Sequence, residues 1–136
     1  MPVIDASVYI ALINAYEKEH VLSWAWFEAA QAAQLPVVAP VILLPEVAAA
    51  LSRGTGDSQL ANQVVYQLEH SRVVQLLPVT PALASRAAGI AANHRIRGCE
   101  AIYVALADQL DDYLVTWDQQ QLERAAAIVN VHPPQK

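Results

Sequence analysis

The sequence holds a single cysteine, Cys99, in 136 residues. No disulfide framework can form within the chain, no CxxC pair exists for zinc or redox chemistry, and such usage suits a reducing cytoplasm. Charge is scarce as well: Asp, Glu, Lys and Arg make up 15% of the chain, with a formal net charge of -5. That excludes a global basic field of the kind that draws proteins to nucleic acid. It does not exclude an enzyme acting on nucleic acid, because clustered metal-binding acids lower the formal charge and a bound cation restores part of it. The four histidines, His20, His70, His94 and His132, show no HxxxH spacing, and each reads as a surface or loop residue. No apolar run reaches the roughly 18 residues of a membrane span. The most apolar window, Leu35 to Leu44, is short and contains Pro36 and Pro40. A strand beginning at residue 2 leaves no room for a signal peptide, and no internal repeat, linker or low-complexity segment is visible.

Hydrophobic residues supply 55% of the chain, enough for one domain with a proper core. Apolar runs and helical periodicities alternate along it. Val3 and Ile4 end a first strand, and a helix follows from Ser7 to Tyr16. A second helix, Val21 to Gln34, carries Trp24, Trp26 and Phe27, which are expected in the core; base stacking and docking of a partner helix are the other readings. Val37 to Ala39 is a second strand. Pro40 is placed in the first turn of the next helix, Ile42 to Arg53, which Pro45 should kink or restart. After the turn at Gly54 to Asp57 come a helix at Ser58 to His70, a strand at Val73 to Val79 and a helix opening at Thr80 and Pro81. A basic loop, Arg95 to Gly98, leads into a helix from Cys99 to Leu110 with Ile102, Leu106 and Leu110 on one face. A strand at Tyr113 to Thr116, a helix at Gln119 to Ala127 and a last strand at Ile128 to Val131 complete the pattern. This alternation predicts an α/β fold, a three-layer α/β/α sandwich with a central, mostly parallel sheet. Residues 1–132 form the single domain, and 133–136 a short tail.

Four acids stand out by position. Asp5 follows the first strand, Glu46 lies in the helix after the second, Glu100 opens the helix after the basic loop, and Asp118 follows the fourth strand. Ligands of open α/β sheets bind in the crevice at the carboxyl ends of the strands. Each acid is set among apolar or small residues, where a carboxylate is costly unless paired, hydrogen-bonded or bound to a cation. Each also has a purely structural reading. Asp5 and Asp118 suit helix caps, and Glu46 and Glu100 suit first-turn positions that complement a helix dipole. On the first strand alone, cap and catalytic acid weigh equally. Four such coincidences favour a shared site, and an all-oxygen cluster favours Mg²⁺ or Mn²⁺ over zinc. Arg53, Arg95 and Arg97 stand near these acids as candidates for phosphate contacts or as solvated surface charge. The remaining acids fall in polar breaks and outward helix faces.

The blocks VIDASVYIAL, PEVAAALSR, RGCEAIYVALA and LVTWDQQQLERA resemble, in order, the four signature regions of the PIN domain. They are most similar to those of VapC-type toxins of bacterial toxin–antitoxin pairs. The resemblance implies an endoribonuclease dependent on Mg²⁺ or Mn²⁺, cleaving single-stranded or structured RNA. It places the catalytic acids at Asp5, Glu46, Glu100 and Asp118, with the metal on Asp5, Glu100 and Asp118. It gives Ser7 and Thr116 supporting roles, and it implies a cognate antitoxin partner and a homodimer. Glu100 departs from the family pattern, which usually has aspartate there. Two other classes are weighed. A non-catalytic PIN-like interaction module is the alternative, and the four retained acids speak against it. A phosphoaspartyl phosphatase or receiver would need a second acid near Asp5, where Ser7 stands, or a late lysine, of which only Lys136 exists.

Overall fold

The structure, a computed structural model, describes residues 1–135; Lys136, the end of the expected tail, lies outside them. Five strands form one parallel sheet in the order β3-β2-β1-β4-β5. They are β1 (Val3–Ile4), β2 (Val37–Pro40), β3 (Val74–Leu77), β4 (Leu114–Val115) and β5 (Val131–His132). The helices are α1 (Ala6–Ile13), α2 (His20–Ala32), α3 (Leu43–Thr55), α4 (Ser58–Glu69), α5 (Pro81–His94), α6 (Gly98–Leu110) and α7 (Gln119–Arg124), and a 3₁₀ turn at Ala125–Ala127 follows the last. The expected α/β/α architecture is present, and the sheet is wholly rather than mostly parallel. Parallel strands are covered on both faces, so the central β1, β2 and β4 are apolar throughout, while Gln75 in β3 and His132 in β5 mark the edges. Val3, Ile4, Val38, Leu114 and Val115 are all 0% exposed.

The strand order explains where a site can form. After β1 the chain builds outward through β2 and β3, then returns to place β4 on the other side of β1. The carboxyl ends of β1 and β4 therefore flank the point where the winding reverses, and there connecting segments part to leave a crevice. Asp5 leaves β1 and Asp118 leaves the segment after β4 at this same edge, and the strands are in register as Ile4 opposite Val115.

Several elements differ from expectation for identifiable reasons. The first helix stops at Ile13, not Tyr16: Asn14 has extended backbone, and its side chain accepts a hydrogen bond from Tyr16 N at 3.0 Å, a local turn that competes with the helix. Pro40 does not open a helix but ends β2, paired with Leu77. Pro45 is the third residue of α3, where the backbone N–H has no intrahelical partner, so the proline neither kinks nor restarts the helix. The last strand forms later than Ile128 because the 3₁₀ turn consumes the residues before it. Helix α6 is buried nearly all round from Ala101 to Ala107, with Tyr103, Val104, Ala105 and Leu106 inside, so its single apolar face was too narrow an expectation. Its small side chains let it lie close against the sheet. Trp26 and Phe27 join the core as expected, but Trp24 is exposed. The one conformationally demanding glycine is Gly56, at φ 69°, which ends α3 with its N–H on Ser52 O at 2.9 Å.

Candidate active site

The backbone at the end of β1 turns so that Asp5 is both the cap of α1 and the centre of a polar cluster. Its Oδ1 accepts from Val8 N at 3.3 Å and from Ser7 Oγ at 2.6 Å. Its Oδ2 accepts from Thr116 Oγ1 and from Gln121 Nε2, the latter at 2.9 Å. Ser7 Oγ in turn accepts from Trp117 N at 3.0 Å, and Thr116 Oγ1 accepts from Asp118 N at 2.9 Å. These bonds stitch residues 116–118 onto the first strand's end, with Ser7 and Thr116 as the links. Trp117 is fixed from its other side, where its indole N–H donates to the buried Ser23 Oγ at 2.8 Å. Asp118 caps α7 through Oδ1, 3.1 Å from Gln121 N.

Asp5, Glu46, Glu100 and Asp118 all line one pocket of about 110 Å³, together with Ala6, Ser7, Tyr103 and Gln121. Sequence reasoning missed Tyr103 and Gln121. A spacing signal existed for both: each lies three residues after one of the acids, Glu100 and Asp118, one helical turn on. Tyr103 is buried, and its hydroxyl donates to Glu46 Oε1. Burial, then the bond to Glu46, push the Tyr103 phenol well above its usual range, so it remains a donor at any working pH. Tyr103→Phe is expected to cost about 1–2 kcal/mol of folding stability, because the partly buried Glu46 loses its partner. Denaturant unfolding checks this, and an unchanged midpoint would mean that the bond contributes nothing.

Burial dominates the electrostatics. It raises the Asp5 carboxyl from 3.8 to about 6, against the lowering effect of its bonds to Ser7, Thr116 and Val8, while the nearby Asp118 adds to the rise. Glu100 is also raised, first by burial and further by Asp118, with Arg97 pulling it down. Arg97 Nη2 donates to Glu100 Oε1 and lies 3.4 Å from Asp118 Oδ2. In effect a side-chain cation already bridges two of the acids; it is 71% exposed, so solvent screens most of that attraction. The three arginines separate. Arg53 and Arg97 line a neighbouring groove of about 590 Å³ that shares Ala6, Glu46 and Glu100 with the acidic pocket. Arg95 does not line it: it ends α5 at φ 57°, and its carbonyl accepts from Arg124 Nη1.

The donors facing the pocket are carboxylate, hydroxyl and carboxamide oxygens, the set that hard divalent cations prefer. Among the described residues, no three His, Cys, Asp or Glu side chains stand as a ready-made cage. Glu100 and Asp118 are turned to Arg97 instead. By donor chemistry this lining fits a hard divalent cation.

A PIN domain family model matches residues 3–128. No curated protein sequence matches the chain. Solved structures match it over almost its whole length. The sarcin–ricin loop cleaving toxin VapC20 of Mycobacterium tuberculosis aligns with TM-score 0.75 at 23% identity, covering 98% of this chain and 100% of that one. A FitAcB structure from Neisseria gonorrhoeae aligns with TM-score 0.73 at 21% identity, covering 98% of each chain. VapBC2 from Rickettsia felis, bound to a promoter DNA fragment, aligns with TM-score 0.74 at 12% identity, covering 97% of each chain. At these identities the structures speak for the fold, while the family model spans all four acids, so the chain that gathers them at the reversal of its sheet belongs to the PIN domain family.

Proposed function

We propose that this chain is a metal-dependent endoribonuclease, the toxin of a toxin–antitoxin pair, with Asp5, Glu46, Glu100 and Asp118 as its catalytic acids. The observation that carries the reading is the convergence of these four residues, distant in sequence, on one pocket. A divalent cation bound there would supply a water of lowered pKa and offset charge on the phosphodiester. The chain's own residues do the rest. Asp5 is oriented by four donors, so its carboxylate is presented in one fixed direction. Glu46, steadied by Tyr103, lines the pocket from α3 and would take a proton from attacking water. Arg53 and Arg97, on the adjoining groove, would contact RNA phosphates. Arg97 would exchange its carboxylate partners for phosphate oxygens when substrate and cation enter.

Membership of the family supports the toxin reading, and so do its structural counterparts, which include a toxin–antitoxin complex from Klebsiella pneumoniae. An antitoxin would find an apolar cleft of about 360 Å³ lined by Leu12, Ile13, Trp24, Phe27, Val73 and Val74. Trp24 is 45% and Val21 74% exposed beside it. Homodimerisation and a cytoplasmic setting are part of the same proposal. No helix among the described residues is long and apolar enough to cross a membrane.

The deciding experiment is cleavage of labelled RNA by the full chain with Mn²⁺, with Mg²⁺ and with EDTA. Cleavage is expected with either ion and absent in EDTA. Persistent cleavage in EDTA, or none under any condition by chain freed of its partner, would refute the nuclease reading. Co-expression with the neighbouring reading frame should relieve growth arrest and give a co-purifying complex.

A further inference from the structure

Gln121 is only 1% exposed, and its Oε1 is a buried side-chain oxygen with no hydrogen-bond partner. Buried acceptors left without a donor are rare and call for an explanation. Local chemistry does not provide one. Asp118-Gln119-Gln120-Gln121 has the spacing of a capping box, in which the third helical residue reaches back to the N–H of the cap. Here Thr116 Oγ1 already accepts from Asp118 N, so the Gln121 amide is released and turns to Asp5 instead. Its orientation is fixed by that contact. Nε2 must face Asp5 Oδ2, because the flipped amide would set oxygen against carboxylate oxygen. Oε1 is then left as a free acceptor on a residue that lines the acidic pocket.

We propose that Gln121 is a working member of the site: Nε2 positions Asp5, and Oε1 accepts a hydrogen bond from water carried by a divalent cation in the pocket. The inference rests on the metal-dependent reading above. Four carboxylates around so small a space repel anions and favour a cation. A hard cation such as Mg²⁺ keeps several of its waters, which offer only O–H donors to their surroundings. A carboxamide supplies the needed acceptor without adding a fifth negative charge, and its other end holds the buried carboxylate.

Calorimetric titration of Mn²⁺ into the full chain at pH 7.5 tests this. Gln121→Met keeps the volume and removes both polar atoms; Gln121→Glu keeps an acceptor oxygen. The methionine variant is expected to bind Mn²⁺ about tenfold more weakly, the loss of about one hydrogen bond. The glutamate variant loses the donor to Asp5 and sets a second carboxylate against it, so it is expected to melt lower than the wild type in EDTA at pH 7.5. A purely structural glutamine would alter melting in EDTA and leave Mn²⁺ affinity unmoved. Equal affinity of wild type and Gln121→Met, with none in Asp5→Asn, overturns the role of Gln121 and leaves the metal reading standing. Melting of Gln121→Glu in EDTA equal to that of the wild type overturns the positioning of Asp5 by Nε2, and decides the matter should the methionine variant fail to fold. No Mn²⁺ binding by the wild type overturns both.

Discussion

Asp5→Asn is expected to lower RNA cleavage by about 10²–10³-fold, the scale seen when one charge-stabilising group is taken from an active site, and at the same time to make the metal-free protein more stable. The second effect follows from burial. Asp5 is 4% exposed, and its carboxyl is raised to about 6. Above that pH the native chain carries a charge that the unfolded chain solvates better, and the cost is fully present. Between 6 and 3.8 the native state holds a proton that the unfolded state has released, so stability rises as pH falls. Below 3.8 both states are protonated and this contribution is level. The interval corresponds to at most about 3 kcal/mol, and part of it is regained in the wild type by any bound cation. Asparagine keeps the shape. Its oxygen can accept from Ser7 and Val8, while its amide can donate to the Thr116 hydroxyl and, after a flip, to Gln121 Oε1, which is otherwise unpartnered. A gain of about 1–2 kcal/mol should raise the melting temperature by about 3–8 °C. Melts in EDTA at pH 7.5 and pH 4.5 check this. The gap between variant and wild type should be wide at the higher pH and close at the lower; a gap of opposite sign at pH 7.5 would contradict the account.

That coupling shows why the site was only half legible in the sequence. Cap and catalytic acid stood as rival readings of Asp5 and Asp118, yet the two do not exclude each other: each residue caps its helix and also lines the pocket, because a strand-to-helix turn needs a side-chain acceptor at the spot where the crevice opens. The acids could be picked out because each interrupts an apolar block, which costs too much to be incidental. Tyr103 and Gln121 offered only their one-turn spacing from Glu100 and Asp118, because a tyrosine and a glutamine in helices carry no such penalty until burial is known. The fold itself was clear from alternation, but its ends were not. Pro40 and Pro45 have the same local signature, and only sheet pairing assigns one to a strand terminus and the other to a first helical turn. The bridging position of Arg97 was also beyond reach, since it depends on Glu100 and Asp118 meeting across the pocket.

The double duty of Asp118 can be taken apart by two substitutions. Its Oδ1 caps α7 at Gln121 N, while its Oδ2 faces Arg97 and, in the proposed working state, the cation. Asp118→Asn retains a capping oxygen but loses the charge; Asp118→Ala loses both. RNA cleavage should fall by about 10²-fold or more in either variant, because both remove a negative ligand from the site. Stability should divide them. The asparagine variant is expected to match the wild type, since Asn and Asp rank together as caps, and the alanine variant to lose about 1 kcal/mol. The loss should be local as well. Helix α7 has six residues and carries Gln121 on its first turn, so fraying it releases the amide from Asp5. Hydrogen exchange should therefore quicken at Gln121 N and Leu122 N in Asp118→Ala and stay slow in Asp118→Asn. Equal exchange in the two variants would mean that the cap is not what holds this corner of the site, and that the bonds of Thr116 to Asp5 and to Asp118 N suffice on their own.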